Sequence, residues 1–150
     1  AGEADRWEAY FEDTPPGESG KVVSQFVEAV SSGLVPVGKG VRAIEVGCGT
    51  GVSLEWLAGR FEEVVGVDWS KKACEKARNR VGDKVRGCWG VGGSVLGDVV
   101  LESGGDVAGG FDVLFDHQVL HTDLSLASTY SRLLHPGGIA VVVAGNAREP

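Results

Sequence analysis

The stretch AIEVGCGTGVS, residues 43–53, places an acid, Glu45, just ahead of three alternating glycines, Gly47, Gly49 and Gly51. Glycines at this spacing let a backbone turn sharply and approach a ligand closely. A dinucleotide fingerprint, G-x-G-x-x-G, requires glycine at 52, where Val52 stands. A carboxylate beside the turn would also repel a pyrophosphate, whereas it attracts a cationic amine. Farther on, Asp68 closes the apolar segment EVVGVD, where an acid can accept two hydrogen bonds from a ribose diol. An amine and a ribose without a phosphate describe S-adenosylmethionine, which these residues point to as cofactor. The plainer alternative is a tight turn with solvated acids at two strand ends.

A second set of candidates follows the apolar segment FDVLFDHQVL, residues 111–120. His117 and His121 can each take a proton from an acceptor or orient it, and are the candidate catalytic residues; otherwise they are loop histidines satisfied by backbone. Their i, i+4 spacing would ligate a metal only on a helix, so no metal site is expected. Asp116 is expected to satisfy backbone N–H groups or to hold the amino-acid end of the cofactor. Cys48, inside the glycine turn, reads as a small side chain close to the ligand rather than as a nucleophile. The three cysteines are an odd number without C-x-x-C spacing, which argues against a disulfide framework or zinc site and for a reducing compartment.

The elements that must position these residues alternate. Val23, Phe26, Val27 and Val30 follow helical spacing after a cap at Ser19. Val41–Val46 is a short β-branched run suited to a strand buried on both faces. Leu54, Leu57, Ala58 and Phe61 predict a helix, residues 63–68 a strand, and Ala73, Ala77 and Val81 a helix capped by Ser70. A weaker strand is expected around Val85–Val91, and the glycine-rich stretch from Gly87 to Gly110 reads as loops. Leu126, Thr129, Tyr130 and Leu133 share a helix face that HPGG ends, and IAVVVAG is a final strand. Such alternation predicts an α/β fold, a parallel sheet with helices on both faces. Ligands of such sheets sit beyond the carboxyl ends of the strands, where Glu45, Asp68 and Asp116 all fall.

Length and charge narrow the partners. One hundred and fifty residues suit one domain. The longest apolar run, Ile139–Ala144, is far short of the ~20 residues of a membrane span. A net charge of −7 argues against a nucleic-acid groove, and the cluster Lys71, Lys72, Lys76, Arg78 and Arg80 reads as the solvated face of a helix. The chain contains no methionine, and its start is therefore expected to have been removed. The expected location is the cytoplasm, or an organelle matrix after loss of a transit peptide.

IEVGCGTG resembles motif I of class I S-adenosylmethionine-dependent methyltransferases, VVGVDWS their ribose-binding strand end, and FDVLFDHQVLHTDLSLASTYSRLLHPGGIAVVV their fourth and fifth strands. The resemblance implies a Rossmann-like core over 41–150 and places Trp69 beside the cofactor. The opening RWEAYFEDTPPGESG, with LVPVGKGVRAIEVGCGTG and GVDWSKKACEKAR, resembles the thiopurine, thiol and halide methyltransferase group. That likeness implies that residues 1–40 form a cofactor-covering segment and helix, with Trp7 over the cofactor, and that the acceptor is a small thiol or halide. Two departures stand out. The acid near the adenine has no clean counterpart, leaving Asp98 and Ser94 as candidates. Members also continue past the fifth strand, so the core is expected to lack its last two strands. The outer edge of IAVVVAG is then expected to be covered by a second copy or a partner chain. The alternative to an enzyme is a methyltransferase-like subunit with a structural role in an assembly.

Overall fold

The structure, a computed structural model, describes Ala9 and residues 20–90, 110–120 and 124–144. Its elements are α1 (Ser24–Ser31), β1 (Gly38–Val46), α2 (Val52–Ala58), β2 (Phe61–Asp68), α3 (Lys71–Val81), a 3₁₀ turn (Gly82–Lys84), β3 (Gly87–Gly90), β4 (Phe111–His117), α4 (Leu126–Leu133) and β5 (Leu134–Val143). The strands form one sheet in the order β3-β2-β1-β4-β5, with every neighbouring pair parallel. The direction of winding reverses between β1 and β4, which puts the switch point beside the end of β1.

Each face of the sheet builds its own core. On one, Ala43, Val64, Val113 and Phe115 meet Phe26 of α1, Leu54 and Leu57 of α2, and Cys74, Ala77 and Val81 of α3. Phe115 anchors this side, its ring 4.9 Å from that of Phe26 and 5.8 Å from that of Phe61. On the other, Ile44, Val46, Val65, Val67 and Leu114 meet Leu126, Tyr130 and Leu133 of α4. Fully burying one such aliphatic side chain gives about 1.5–3 kcal/mol, so these two layers hold the strand ends in place. No helix among the described residues is long and apolar enough to cross a membrane.

The expected strands and helices are present, with four differences. α1 begins at Ser24, and the residue at its cap, Val23, donates its N–H to Ser53 Oγ at 3.1 Å. A capping contact from α2 thus stands at the helix start, and Ser19 lies outside the described residues. Phe61 opens β2 instead of ending α2, because the chain turns at Gly59 and Arg60 first. Gly38 lets β1 start three residues earlier than the β-branched run, through a register shift before Arg42. The HPGG segment does end α4 but belongs to β5. Leu134 pairs with Phe111 and Ile139 with Val113, so His135–Gly138 form a bulge, with Gly137 at φ 88°.

Candidate functional site

The glycine turn is an extension of the β1–β2 ladder that bends into α2. Gly47 and Cys48 both donate their N–H to the Val67 carbonyl, at 2.7 and 3.1 Å, and Gly51 donates to the Cys48 carbonyl at 3.1 Å. Two glycines are required sterically. At Gly47, φ is 76° and an added Cβ would lie 2.3 Å from Val119 Cγ2. At Gly51, φ is 92° and a Cβ would lie 3.0 Å from Ala77 Cβ, where the start of α2 meets α3. The third, Gly49, donates its N–H to Asp68 Oδ2 at 2.9 Å.

That bond ties the turn to the end of β2. Asp68 Oδ1 also accepts from the Ser70 N–H at 2.9 Å, and Ser70 Oγ accepts from Ala73 at 3.0 Å as the cap of α3. One buried carboxylate therefore organises both the glycine turn and the entry to the next helix. A carboxylate oxygen carries two lone pairs and can accept from a diol as well as from a backbone N–H. Trp69, half-buried beside it, packs on the α4 side of the sheet.

Asp116 does at the end of β4 what Asp68 does at the end of β2. It accepts from the N–H of Val119 at 2.8 Å, the N–H of Leu120 at 2.9 Å and the Tyr130 hydroxyl at 2.7 Å. Of the two roles expected for it, the backbone one is what these bonds describe. The turn it holds carries Gln118 at φ 64°, bonded through its N–H to the Val143 carbonyl at 2.8 Å, and presses Val119 against Gly47. Burial and the Asp116 carboxylate both push the Tyr130 hydroxyl far above its ordinary value, which keeps it a donor.

Glu45 differs from both. It is 2% exposed, one residue from the end of β1, and its Oε1 has no hydrogen-bond partner among the described residues. Burial, then Asp68, then Asp116 push its carboxyl well above the usual range. An orphaned acid oxygen at the switch point, next to a glycine turn, fits a cationic amine and opposes a phosphate.

Glu45, Gly47, Gly49, Gly51, Asp68, Trp69, Asp116 and half-buried His117 are thus brought to the carboxyl ends of three neighbouring strands. The Cys48 side chain packs into the core on the α2 side of the sheet. It is 6% exposed within the apolar layer, and its Sγ would lie 3.2 Å from a Cβ at Gly66. Gly66 was not among the candidates. A Cβ there would also lie 2.5 Å from Leu54 Cδ1, so its lack of a side chain admits both Cys48 and α2. A glycine inside an apolar strand is the signal for such an approach. Tyr130 also proves to be part of the site's support; a phenol on an otherwise apolar helix face signals a polar partner. Trp7, Ser94, Asp98 and His121 lie outside the described residues. Among the described residues no group of three or more His, Cys, Asp and Glu is arranged to hold a metal ion.

A parallel sheet wound in this order, with a glycine turn after its first strand and an acid ending the second, defines a Rossmann-like fold. The family described as methyltransferase domain matches residues 44–140, more than half the chain, and the chain belongs to that family. An O-methyltransferase, cnsE, of Penicillium expansum is 37% identical over 78 residues, which are 51% of this chain and 28% of that protein. A structure solved for the conversion of a disulfide bond into a thioacetal group during echinomycin biosynthesis superposes with a TM-score of 0.72 at 22% identity. The match covers 94% of this chain and 59% of that one. Geranyl diphosphate C-methyltransferase from Streptomyces coelicolor A3(2), solved with Mg²⁺, geranyl diphosphate and S-adenosyl-L-homocysteine, gives 0.65 at 18% identity, covering 93% and 63%. The chain thus spans less than two thirds of the length of each of these proteins, and the two structural likenesses are of fold.

Proposed function

We propose that the protein is an S-adenosylmethionine-dependent methyltransferase acting on a small molecule, with residues 1–150 as its catalytic domain. The observation that carries this reading is the orphaned, buried Glu45 oxygen beside a glycine turn that is itself tied to Asp68. In it, Glu45 faces the amine of the cofactor and the backbone of Gly47–Gly51 approaches it closely. Asp68 accepts the ribose hydroxyls, and Trp69 flanks the base. Trp7, Ser94 and Asp98 are assigned to the cofactor on sequence alone. When bound, the cofactor supplies an electrophilic methyl on a sulfonium, transferred by in-line displacement, so the chain's work is to align the acceptor and exclude water.

For the acceptor we propose a thiol or a halide, from the likeness of the N-terminal segment to the thiopurine, thiol and halide group; such soft nucleophiles need little base assistance. The O-methyltransferase of Penicillium expansum supports a second reading, an oxygen acceptor. That chemistry needs a positioned base, for which His117 at the end of β4 and His121 just after it are the candidates. The outer edge of β5, where Val142 is 41% exposed, is where a second copy or partner chain would pair.

Calorimetric titration with S-adenosylmethionine and S-adenosylhomocysteine tests the cofactor. Micromolar binding of both, weakened at least tenfold in Asp68→Asn, is expected. No binding at millimolar ligand would favour a structural role in an assembly. A screen of thiols, halides and phenols then separates the acceptors, and a monomer in sedimentation would count against pairing at β5.

A further inference from the structure

Three acids meet at the carboxyl ends of β1, β2 and β4, and they are not equivalent. Asp68 accepts two backbone N–H groups, and Asp116 accepts two more and a phenol. Donors of this kind stabilise the charged form of a carboxylate. At Glu45 Oε1 no donor among the described residues does so, and the side chain is wholly buried. When neighbouring carboxyl groups differ this way, the proton goes to the one without donors.

The other charged and titratable groups near this end of the sheet do not offset the two aspartates. Glu55 of α2 and Glu28 of α1 are exposed acids, and Arg80 of α3 donates its Nε to the Thr50 carbonyl at 3.1 Å. In the first turn of α3, Lys71 is exposed and Lys72 pairs with Glu75 at 3.6 Å. Tyr130 of α4 is committed to Asp116, Cys48 is packed in the apolar layer, and His117 is half-buried at the end of β4. What acts on Glu45 is burial and two negative charges, with no cation among the contributors.

We infer that this crevice exchanges a proton for the amine of its ligand: Glu45 is a neutral acid in the free protein and gives its proton to solvent when an ammonium group is seated beside it. In balance, the Glu45 carboxylic acid and a ligand ammonium become a carboxylate–ammonium pair and one released proton. No other bond changes. The exchange makes Glu45 a specificity element. An adenosine ligand without the amine leaves the acid protonated and gains nothing from it, whereas the methyl donor and its demethylated product both carry the amine. Acid conditions therefore weaken both of these and spare an amine-free analogue. The inference rests on the cofactor reading above, and its test separates the two.

The full chain is titrated calorimetrically with S-adenosylhomocysteine and with 5′-deoxy-5′-methylthioadenosine, which keeps the nucleoside and lacks the amino acid. Each titration is run in pairs of buffers that titrate at the working pH and differ in ionisation enthalpy, cacodylate and MES at the acid end and phosphate and imidazole nearer neutrality, at several pH values between 5.5 and 8. Release approaching one proton per S-adenosylhomocysteine is expected at the acid end. Affinity should rise about tenfold per pH unit there and flatten once Glu45 is ionised in the free protein. Methylthioadenosine should bind with no proton release and a flat profile. Glu45→Gln should bind S-adenosylhomocysteine more weakly and without the release. Release that persists in Glu45→Gln, or S-adenosylhomocysteine binding with no release and no pH dependence, overturns the exchange and leaves the cofactor reading standing. If neither nucleoside binds, both fall.

Discussion

The two ends of the sheet carry charge in opposite ways. At the amino ends of the strands Glu63 and Asp112 each have a cation. Glu63 of β2 lies between Arg42 of β1, which it meets through Nε, and Arg86, 3.2 Å away. Asp112 of β4 accepts the Arg42 N–H at 2.8 Å and pairs with His135 in the bulge of β5. Arg42 also donates to the Gly110 carbonyl at 3.0 Å and lies over the Phe111 ring. At the carboxyl ends, Glu45, Asp68 and Asp116 converge, Asp68 and Asp116 on backbone donors and Asp116 also on a phenol, while Glu45 Oε1 has no hydrogen-bond partner among the described residues. The charges of Glu63 and Asp112 are satisfied within the protein and tie strands to one another. The charge at the carboxyl end is incomplete until something positive arrives, and incompleteness of that kind marks a binding site.

The largest break in this comparison comes from the turn on which the carboxyl end is built. Gly47→Ala must hold a side chain at positive φ and displace Val119, at a combined cost of about 2–4 kcal/mol. Urea denaturation should show that loss, and cofactor binding should disappear with it. Tyr130→Phe is next. It keeps the ring in its apolar layer but removes a hydroxyl that donates to a buried carboxylate, which should cost about 1.5–3 kcal/mol. Its counterpart at the amino end, Glu63→Gln, removes a half-exposed acid from between two arginines and should cost less than about 1 kcal/mol. Equal losses for the two would mean that the ends do not differ as described.

Glu45→Gln sharpens the comparison through its sign. A carboxyl whose value is raised by folding binds more protons in the native state than in the unfolded one. Its contribution to stability therefore falls as pH rises from the ordinary carboxylate range towards the raised value. Within that window the unmutated protein should lose up to about 1.4 kcal/mol per pH unit from this one group. Glu45→Gln should lack that downward slope while binding the cofactor less well. Denaturation midpoints at a series of pH values measure it, and parallel curves would contradict the buried, donor-poor environment of Glu45.

Much of this architecture was legible in the residues themselves. The runs at 41–46, 63–68 and 111–117 are apolar enough to be strands buried on both faces, and Ser70 caps α3 as its position suggests. The acids fall at strand ends because the apolar runs stop there. Phe61 continues the helical spacing four residues beyond Leu57, but the turn at Gly59–Arg60 resets the chain and Phe61 opens β2. The bulge in β5 was hidden because HPGG is also a helix-ending signal, and it performs both tasks here. Which acid would be saturated was not legible at all. The bonds from Tyr130 to Asp116 and from Gly49 to Asp68 cross 14 and 19 residues, and spacing in one strand says nothing of a donor brought by another element.

The smallest effect belongs to His135, and it tests the claim that the amino end is complete in itself. Its Nε2 faces Asp112 and its Nδ1 lies 2.7 Å from the Pro136 carbonyl, so both ring nitrogens meet acceptors and only the imidazolium can donate to both. The bonds to Asp112 and Pro136 accordingly raise the histidine above its ordinary value. Burial works to raise Asp112, but the Arg42 N–H and His135 outweigh it and hold that carboxyl low. The signs give a window. The histidine's contribution is whole below its ordinary value and disappears as pH rises through the raised one. The aspartate's is whole above the ordinary carboxylate range and disappears as pH falls through the lowered one. The pair should therefore hold the β5 bulge best in mildly acidic solution, the range in which Glu45 is expected to resist an incoming amine. His135→Gln should flatten the alkaline side of the melting-temperature profile by a small amount and leave nucleoside affinity unchanged. A changed affinity would mean that the two ends of the sheet communicate, and the separation drawn between them would have to be given up.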